Sequence, residues 1–120
     1  MRLLFYGFRH GHVSALYRAA CARPDIEIVG CIEPDPAARS KAQRELGAVF
    51  SEHSYEHWLS TDIDAVAIGC AYGDRGDAII RALRAGKHII ADKPLCTSIE
   101  QLETISELCR RSCLKIACML

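Results

Sequence analysis

Lys93 is the residue whose type and neighbours most directly suggest catalysis. It stands between Asp92 and Pro94, directly after the apolar run 88–91. A lysine held at the end of a strand can stabilise a developing alkoxide or share a proton with a substrate hydroxyl. The neighbouring aspartate can orient its ammonium group. The alternative is a surface salt bridge, which contributes little to stability. We take Lys93 as the candidate catalytic residue.

A candidate anion-binding site lies in the turn Gly7-Phe8-Arg9-His10-Gly11-His12. An apolar run precedes this turn, and apolar residues at helical spacing follow it from Val13 onward. A strand that feeds a helix through a glycine turn binds phosphates, because free N–H groups and the positive end of the helix dipole face the anion. The turn is therefore predicted to bind a cofactor. Arg9 could contact a pyrophosphate as a cation, or fill the space that a dinucleotide needs.

Glu33 follows the next apolar run, at 26–32, and can accept hydrogen bonds from both ribose hydroxyls of an adenosine. Its charge would repel a 2′-phosphate, so the sequence predicts NAD as the cofactor in preference to NADP. The alternative is a solvated turn glutamate. Tyr72, Arg75 and Asp92 follow two later apolar runs and complete the predicted cofactor-binding set.

The elements that must position these residues alternate along the chain. Strand-like runs occur at 3–6, 26–32, 48–50, 63–69, 88–91 and 114–120, and helical patterns at 11–22, 36–46, 55–59, 77–85 and from 99, with a loop at 70–76. The runs are apolar throughout, as in parallel strands covered on both faces. Right-handed crossovers then predict an α/β fold: a doubly wound, mostly parallel six-stranded sheet (the Rossmann fold) in a single domain, residues 1–120.

Composition argues against several partners. Fifteen basic and fifteen acidic residues give zero formal charge, whereas nucleic-acid binders carry a basic face, so no nucleic-acid partner is expected. No apolar stretch is long enough to cross a membrane, and the N-terminus lacks the form of a signal peptide. The seven cysteines form no C-x-x-C pair, which favours reduced thiols in the cytoplasm. Cys31, Cys70 and Cys118 lie in apolar runs and are expected to be buried.

Metal binding has little support in the sequence. Three pairs of potential ligands occur, none with a third ligand at the spacing of a metal site: His10 with His12, His53 with His57, and Cys109 with Cys113. A metal or redox role for the cysteine pair, whose members lie one helical turn apart, stays open. We predict no metal.

Four stretches resemble one protein family. DAVAI at 64–68, ALRAGKHII at 82–90, DKPL at 92–95 and HVSAL at 12–16 are similar to the N-terminal domain of the Gfo/Idh/MocA oxidoreductases, the group of glucose–fructose oxidoreductase and inositol dehydrogenase. The resemblance covers essentially the whole chain. It implies a Rossmann domain that binds NAD(P) and, in full-length members, hydride transfer between NAD(P) and a sugar or cyclitol hydroxyl.

The resemblance also carries expectations for single residues. Lys93 matches the lysine of the family's E-K-P motif, which lies near the substrate and the nicotinamide, and a cis peptide between Lys93 and Pro94 is expected. The chain departs from the family elsewhere. Arg9 stands where the second glycine of G-x-G-x-x-G/A belongs, and the turn is shorter. Tyr72 and Arg75 occupy the asparagine and histidine positions of P-N-x-x-H.

Two classes of function stay open at this point. The first is the cofactor domain of an oxidoreductase, which is not catalytic alone because the family's second domain, with its substrate contacts, is absent from these residues. The second is a stand-alone, non-catalytic module. Such a module would bind a smaller nucleotide or another anion in the short turn, or form a homo-oligomer through exposed apolar surface.

Overall fold

The fold is a parallel sheet flanked by helices. The computed structural model describes residues 1–119, within which five strands pair in the order β2-β1-β3-β4-β5: β1 (Arg2–Tyr6), β2 (Glu27–Ile32), β3 (Ala65–Ile68), β4 (His88–Ala91) and β5 (Ile116–Cys118). The helices are α1 (Gly11–Cys21), α2 (Pro36–Leu46), α3 (Tyr55–Leu59), α4 (Tyr72–Arg84) and α5 (Ile99–Arg111). The predicted doubly wound α/β architecture is confirmed.

Helices cover both faces of the sheet, as the apolar strands require. Val13 of α1 and Ala42 of α2 belong to one buried cluster, which includes Phe5 of β1. Ile79 of α4 and Ile105 of α5 belong to a second cluster on the other face. The strand order reverses between β1 and β3, because β2 and β3 lie on opposite sides of β1. In doubly wound sheets the ligand crevice opens at such a switch point, beyond the carboxyl ends of the strands.

Local signals set the ends of α2 and the start of α5 where the sequence predicts them. Asp35 caps α2, because its Oδ1 accepts from the N–H of Ala38 at 2.7 Å, and Gly47 ends the helix with φ +65°. Ser98 caps α5 by accepting from the N–H of Gln101. These caps satisfy N–H groups that the first turn of a helix leaves without partners.

The prediction of six strands is wrong by one. Residues 48–50 form no ladder in the described part of the chain; one hydrogen bond, from Ser51 N–H to the carbonyl of Cys31 at 2.8 Å, ties this segment to β2. The segment is short, and Val49 at its centre is 81% exposed. The last strand is also shorter than predicted, at Ile116–Cys118, and Leu120 lies outside the described residues.

The predicted loop at 70–76 is also wrong, because α4 begins at Tyr72. Gly76 faces α5: a Cβ there would come within 2.2 Å of Oε1 of Gln101, at the end of a flexible side chain that would have to shift. Arg75 is buried on the inner face of the same helix. A buried, hydrogen-bonded side chain and a close helix contact outweigh the low helix propensity of glycine.

The thiols are only partly placed as predicted. All seven cysteines are free, and Cys31 and Cys70 are buried, but Cys118 is exposed because β5 is the edge strand of the sheet.

No helix within residues 1–119 is long and apolar enough to cross a membrane. No cluster of three or more potential metal ligands occurs in the same range.

Candidate functional site

The Gly7 turn is hydrogen-bonded to the ends of both strands that flank β1, namely β2 and β3. The N–H of Gly7 donates to the carbonyl of Ile32 at 2.8 Å, and the N–H of Arg9 donates to the carbonyl of Gly69 at 3.1 Å. Gly7 has φ +89°, and a Cβ there would lie 2.2 Å from the backbone nitrogen of Cys70. Only glycine suits both the conformation and the space. The turn therefore lies against the end of β3, at the switch point of the sheet.

The helix that follows this turn begins without a side-chain cap. His10 is the N-cap residue of α1, and its side chain makes no capping hydrogen bond within the described residues. A Cβ on Gly11 would have no atom within 4 Å, so the first turn is open to its surroundings. Uncapped N–H groups at a helix N-terminus are partners for an anion.

Phe8 contributes to this site only through its main chain. Its side chain is buried among aromatic rings, with centroid distances of 5.8 Å to Phe5, 5.7 Å to Tyr17 and 5.3 Å to Phe50. This cluster anchors the turn to the core. Any contact between Phe8 and a cofactor is left to the backbone.

Glu33 is buried at the end of β2 and joins two loops. Its Oε2 accepts from the N–H of Phe8 at 2.5 Å, and its Oε1 accepts from the N–H of Asp35 at 2.8 Å. The residue is 6% exposed. A carboxylate oxygen can accept more than one hydrogen bond, so both oxygens keep acceptor capacity. Glu33 thus fixes the Gly7 turn to the β2–α2 loop, a role that its position in the sequence did not reveal.

Arg9 turns toward the β2–α2 loop. Its Nη1 lies 3.6 Å from Oδ2 of Asp35, and the two side chains are 41% and 35% exposed. This contact holds the guanidinium at the start of α2, in the loop whose Asp35 N–H is bonded to Glu33.

Aromatic stacking connects α1 to α4. The imidazole of His10 stacks on the ring of Tyr72 with centroids 4.8 Å apart, and Cζ of Arg75 lies 5.2 Å from the centroid of the same ring. Tyr72 is nevertheless 47% exposed. A flat ligand that stacked on this ring at the switch point would take the place of His10.

Asp92 connects His12 to the turn that carries Lys93. Its Oδ1 lies 2.8 Å from Nδ1 of His12 and also accepts from the N–H of Lys93 at 2.8 Å. Asp92 is 1% exposed, whereas His12 is half-exposed. One carboxylate oxygen thus holds both the first turn of α1 and the end of β4. The expected cis peptide between Lys93 and Pro94 is present.

Arg75 lies beneath the site. The side chain is fully buried, and its Nη1 donates to the carbonyls of Asp92 at 3.0 Å and Pro94 at 2.8 Å, while Nη2 donates to the carbonyl of Cys70 at 2.9 Å. Nη2 also lies 3.7 Å from Oδ2 of Asp92. The sequence predicts Arg75 as a cofactor ligand, but the structure directs it inward, where it supports the segments that follow β3 and β4. Its helical spacing from Ile79 and Ala82 is the signal that could have shown this.

Lys93 is exposed, and its ammonium group has no hydrogen-bond or ion-pair partner among residues 1–119. Cys70, at the end of β3, is buried, and this burial raises the pKa of its thiol to about 11 even though Arg75 opposes the shift. A thiol in that state is not a nucleophile near neutral pH. Lys93 is therefore the better candidate for chemistry at this edge of the sheet.

Comparison with known proteins identifies similar chains. Over 85 residues the chain is 36% identical to scyllo-inositol 2-dehydrogenase (NAD(+)) from Bacillus subtilis, an alignment that covers 70% of this chain and 25% of that enzyme. It is 35% identical over 96 residues to dTDP-3,4-didehydro-2,6-dideoxy-alpha-D-glucose 3-reductase from Saccharopolyspora spinosa, covering 78% of this chain and 28% of the reductase. The chain therefore spans about a quarter of the length of these curated relatives.

A solved structure shows the same fold. The 3-ketoreductase of Actinomadura kijaniata, crystallised with NADP and TDP-benzene, superposes with a TM-score of 0.76 at 27% identity, over 95% of this chain and 35% of that one. The profile of the oxidoreductase family with an NAD-binding Rossmann fold, Gfo/Idh/MocA, matches residues 5–118. That match includes the Gly7 turn, Glu33 and Lys93. The chain belongs to the Gfo/Idh/MocA oxidoreductase family and forms its NAD-binding Rossmann domain.

Proposed function

We propose that the chain binds a nicotinamide dinucleotide with the pyrophosphate at the Gly7 turn. The observation that carries the proposal is the uncapped N-terminus of α1, which opens directly after Gly7 at the switch point of the sheet. Gly11 leaves the main chain accessible there. The shortened glycine motif is thus still compatible with an anion that accepts from backbone N–H groups. Family membership makes a dinucleotide the ligand to test.

The adenosine end of the dinucleotide would contact Glu33. Its carboxylate retains acceptor capacity for ribose hydroxyls, and its negative charge disfavours a 2′-phosphate. NAD is therefore the proposed cofactor in preference to NADP, although the relatives include an enzyme named for NAD(+) and one crystallised with NADP. Tyr72 offers a ring for stacking, and His12 is held close to the same edge by Asp92.

Lys93 is the proposed catalytic residue. When bound, the nicotinamide accepts or supplies a hydride. The exposed ammonium group of Lys93 would stabilise the alkoxide of a sugar or cyclitol, or share the proton of its hydroxyl. Asp92 holds the backbone N–H of Lys93, and Arg75 holds the carbonyls on either side of it. We expect no dehydrogenase turnover from these 120 residues alone, and a measurable rate with sugars or inositols would overturn that expectation.

Titration calorimetry with NAD⁺ tests the binding proposal. Binding in the micromolar range that Glu33→Ala weakens is the expected result, because the variant removes the ribose acceptor and releases the turn. Asp62→Ala is the matched control, since this carboxylate is exposed and lies away from the carboxyl ends of the strands. An absence of binding at millimolar NAD⁺ would overturn the proposal.

A second candidate function rests on the surface of α5. Ile99 and Leu102 are 66% and 45% exposed and lie on one face of the helix. Exposed apolar residues on one face can form a contact between copies of the chain. Sedimentation at several concentrations tests this homo-oligomer, and Leu102→Glu is expected to shift it to the monomer.

We also propose a cytoplasmic location, because free cysteines are typical of proteins in a reducing compartment.

A further inference from the structure

Arg9 and Asp35 form a partly exposed ion pair at the end of β2. The distance from Nη1 of Arg9 to Oδ2 of Asp35 is 3.6 Å. The pair bridges the Gly7 turn and the β2–α2 loop, beside the buried carboxylate of Glu33. Both side chains are accessible enough to meet a ligand, so this pair is a charged feature that a cofactor at the Gly7 turn would encounter.

Asp35 is the fixed member of the pair. Its own N–H donates to Oε1 of Glu33 at 2.8 Å, and its Oδ1 accepts from the N–H of Ala38 at 2.7 Å as the cap of α2. One carboxylate oxygen is thus occupied by the helix, and the other lies toward Arg9. Arg9 makes no comparable side-chain contact elsewhere in residues 1–119. Its long side chain can therefore exchange Asp35 for another anion at modest cost.

The position of the pair matches the part of a dinucleotide that differs between NAD and NADP. In doubly wound folds the acidic residue after the second strand meets the ribose hydroxyls, and an arginine nearby accommodates a 2′-phosphate. Glu33 is that acidic residue here, and Arg9 reaches the same loop from the Gly7 turn. Arg9 has the chemistry to bind a 2′-phosphate, since a guanidinium forms paired hydrogen bonds to phosphate oxygens.

We propose that Asp35 is a specificity-determining residue, which occupies the guanidinium of Arg9 and so withholds it from the 2′-phosphate of NADP. A 2′-phosphate would have to displace Asp35 from Arg9 while lying close to two carboxylates, Glu33 and Asp35. NAD carries no such phosphate and leaves the pair intact. The preference for NAD then depends on Asp35 as well as on Glu33. This inference rests on the proposed function, namely that the dinucleotide lies at the Gly7 turn.

Asp35→Asn isolates the charge from the helix cap. Asparagine caps helices as well as aspartate does, so α2 is expected to stay intact, which circular dichroism and the unfolding midpoint check. The affinities for NAD⁺ and NADP⁺ are measured by calorimetry for the native chain, Asp35→Asn, Arg9→Gln and the double variant. We expect Asp35→Asn to strengthen NADP⁺ binding about tenfold, the size of one charge-assisted hydrogen bond, with little change for NAD⁺.

The double variant shows whether the gain in NADP⁺ affinity requires Arg9. If Asp35 acts by occupying Arg9, the gain in NADP⁺ affinity disappears in Arg9→Gln/Asp35→Asn, and Arg9→Gln alone gives none. An unchanged NADP⁺ affinity in Asp35→Asn overturns the inference, and so does a gain that survives in the double variant. In both cases NAD⁺ still binds, and the proposed function stands. If no variant binds either dinucleotide, the proposed function fails and the inference fails with it.

Discussion

The guanidinium of Arg75 lies against Asp92 in the interior of the protein. Nη1 donates to the carbonyl of Asp92 at 3.0 Å, Nη2 lies 3.7 Å from its Oδ2, and the two side chains are 0% and 1% exposed. Oδ1 of the same aspartate holds the N–H of Lys93 and the ring of His12. A buried cation at the base of α4 therefore supports the turn that presents the candidate catalytic lysine.

Replacing Arg75 should cost more than replacing any exposed arginine of the same helix. Arg75→Met removes three hydrogen bonds to carbonyls and leaves the buried carboxylate of Asp92 without its cation. Breaking a buried pair in this way costs about 3–5 kcal/mol. Urea unfolding measures the loss, with Arg84→Met as the matched control on the exposed face of α4. Equal stabilities for the two variants would contradict the structural role of Arg75.

Two glycines of one turn should respond oppositely to alanine. Gly7→Ala places a Cβ 2.2 Å from the backbone of Cys70 at φ +89°, and the combined clash and strain should cost at least about 2 kcal/mol. Gly11→Ala meets nothing within 4 Å and lies in helical conformation, so its cost should be close to zero or its effect stabilising. Thermal unfolding of both variants checks the difference, and a Gly11→Ala loss as large as that of Gly7→Ala would refute it.

Alkaline pH should destabilise the protein through its buried thiols. Burial raises the pKa of Cys31 to about 12, above its ordinary value of 9.0. The folded state therefore keeps a proton that the unfolded state loses, and the stabilisation is complete below about pH 9 and is lost as pH rises toward 12. The free energy of unfolding should fall between about pH 8 and pH 10.5, by about 1–2 kcal/mol for this thiol.

A pair of variants identifies the thiol responsible. Cys31→Val removes the titrating group with little change in volume and should flatten the alkaline slope. Cys113→Val, at an exposed thiol, should leave the slope as it is. Denaturant unfolding at the two pH values gives the comparison, and identical slopes for the two variants would show that Cys31 does not titrate as the burial implies.

The sequence was most informative where local chemistry decides the structure. The apolar run before Gly7 and the helical patterns at 36–46 and from 99 depend on signals that act over a few residues, and these predictions are confirmed. The parallel sheet followed from the order of these elements. The exception is the segment around Val49. Its composition is strand-like, but among the described residues one backbone hydrogen bond joins it to β2. Strand pairing depends on which strand lies alongside, and composition does not reveal that.

The candidate site was less predictable because its contacts join distant parts of the chain. Arg75 lies in the segment 70–76 that the sequence predicts as a loop, and its inward direction depends on the carbonyls of Cys70, Asp92 and Pro94. Glu33 was recognised by its position after β2. Its hydrogen bond to Phe8 connects residues far apart in sequence, which periodicity does not reveal. Side-chain direction in a folded crevice is a tertiary property.

Amide chemical-shift mapping tests the central claim, that a nicotinamide dinucleotide binds at the Gly7 turn. Titration of the ¹⁵N-labelled chain with NAD⁺ reports each backbone N–H separately. The proposal predicts the largest changes at Gly11 and His12, whose N–H groups lie at the uncapped start of α1. Smaller changes are expected at Glu33 and at Phe8, whose N–H is hydrogen-bonded to Glu33. Saturable changes confined to α5, or no change at millimolar NAD⁺, would contradict it.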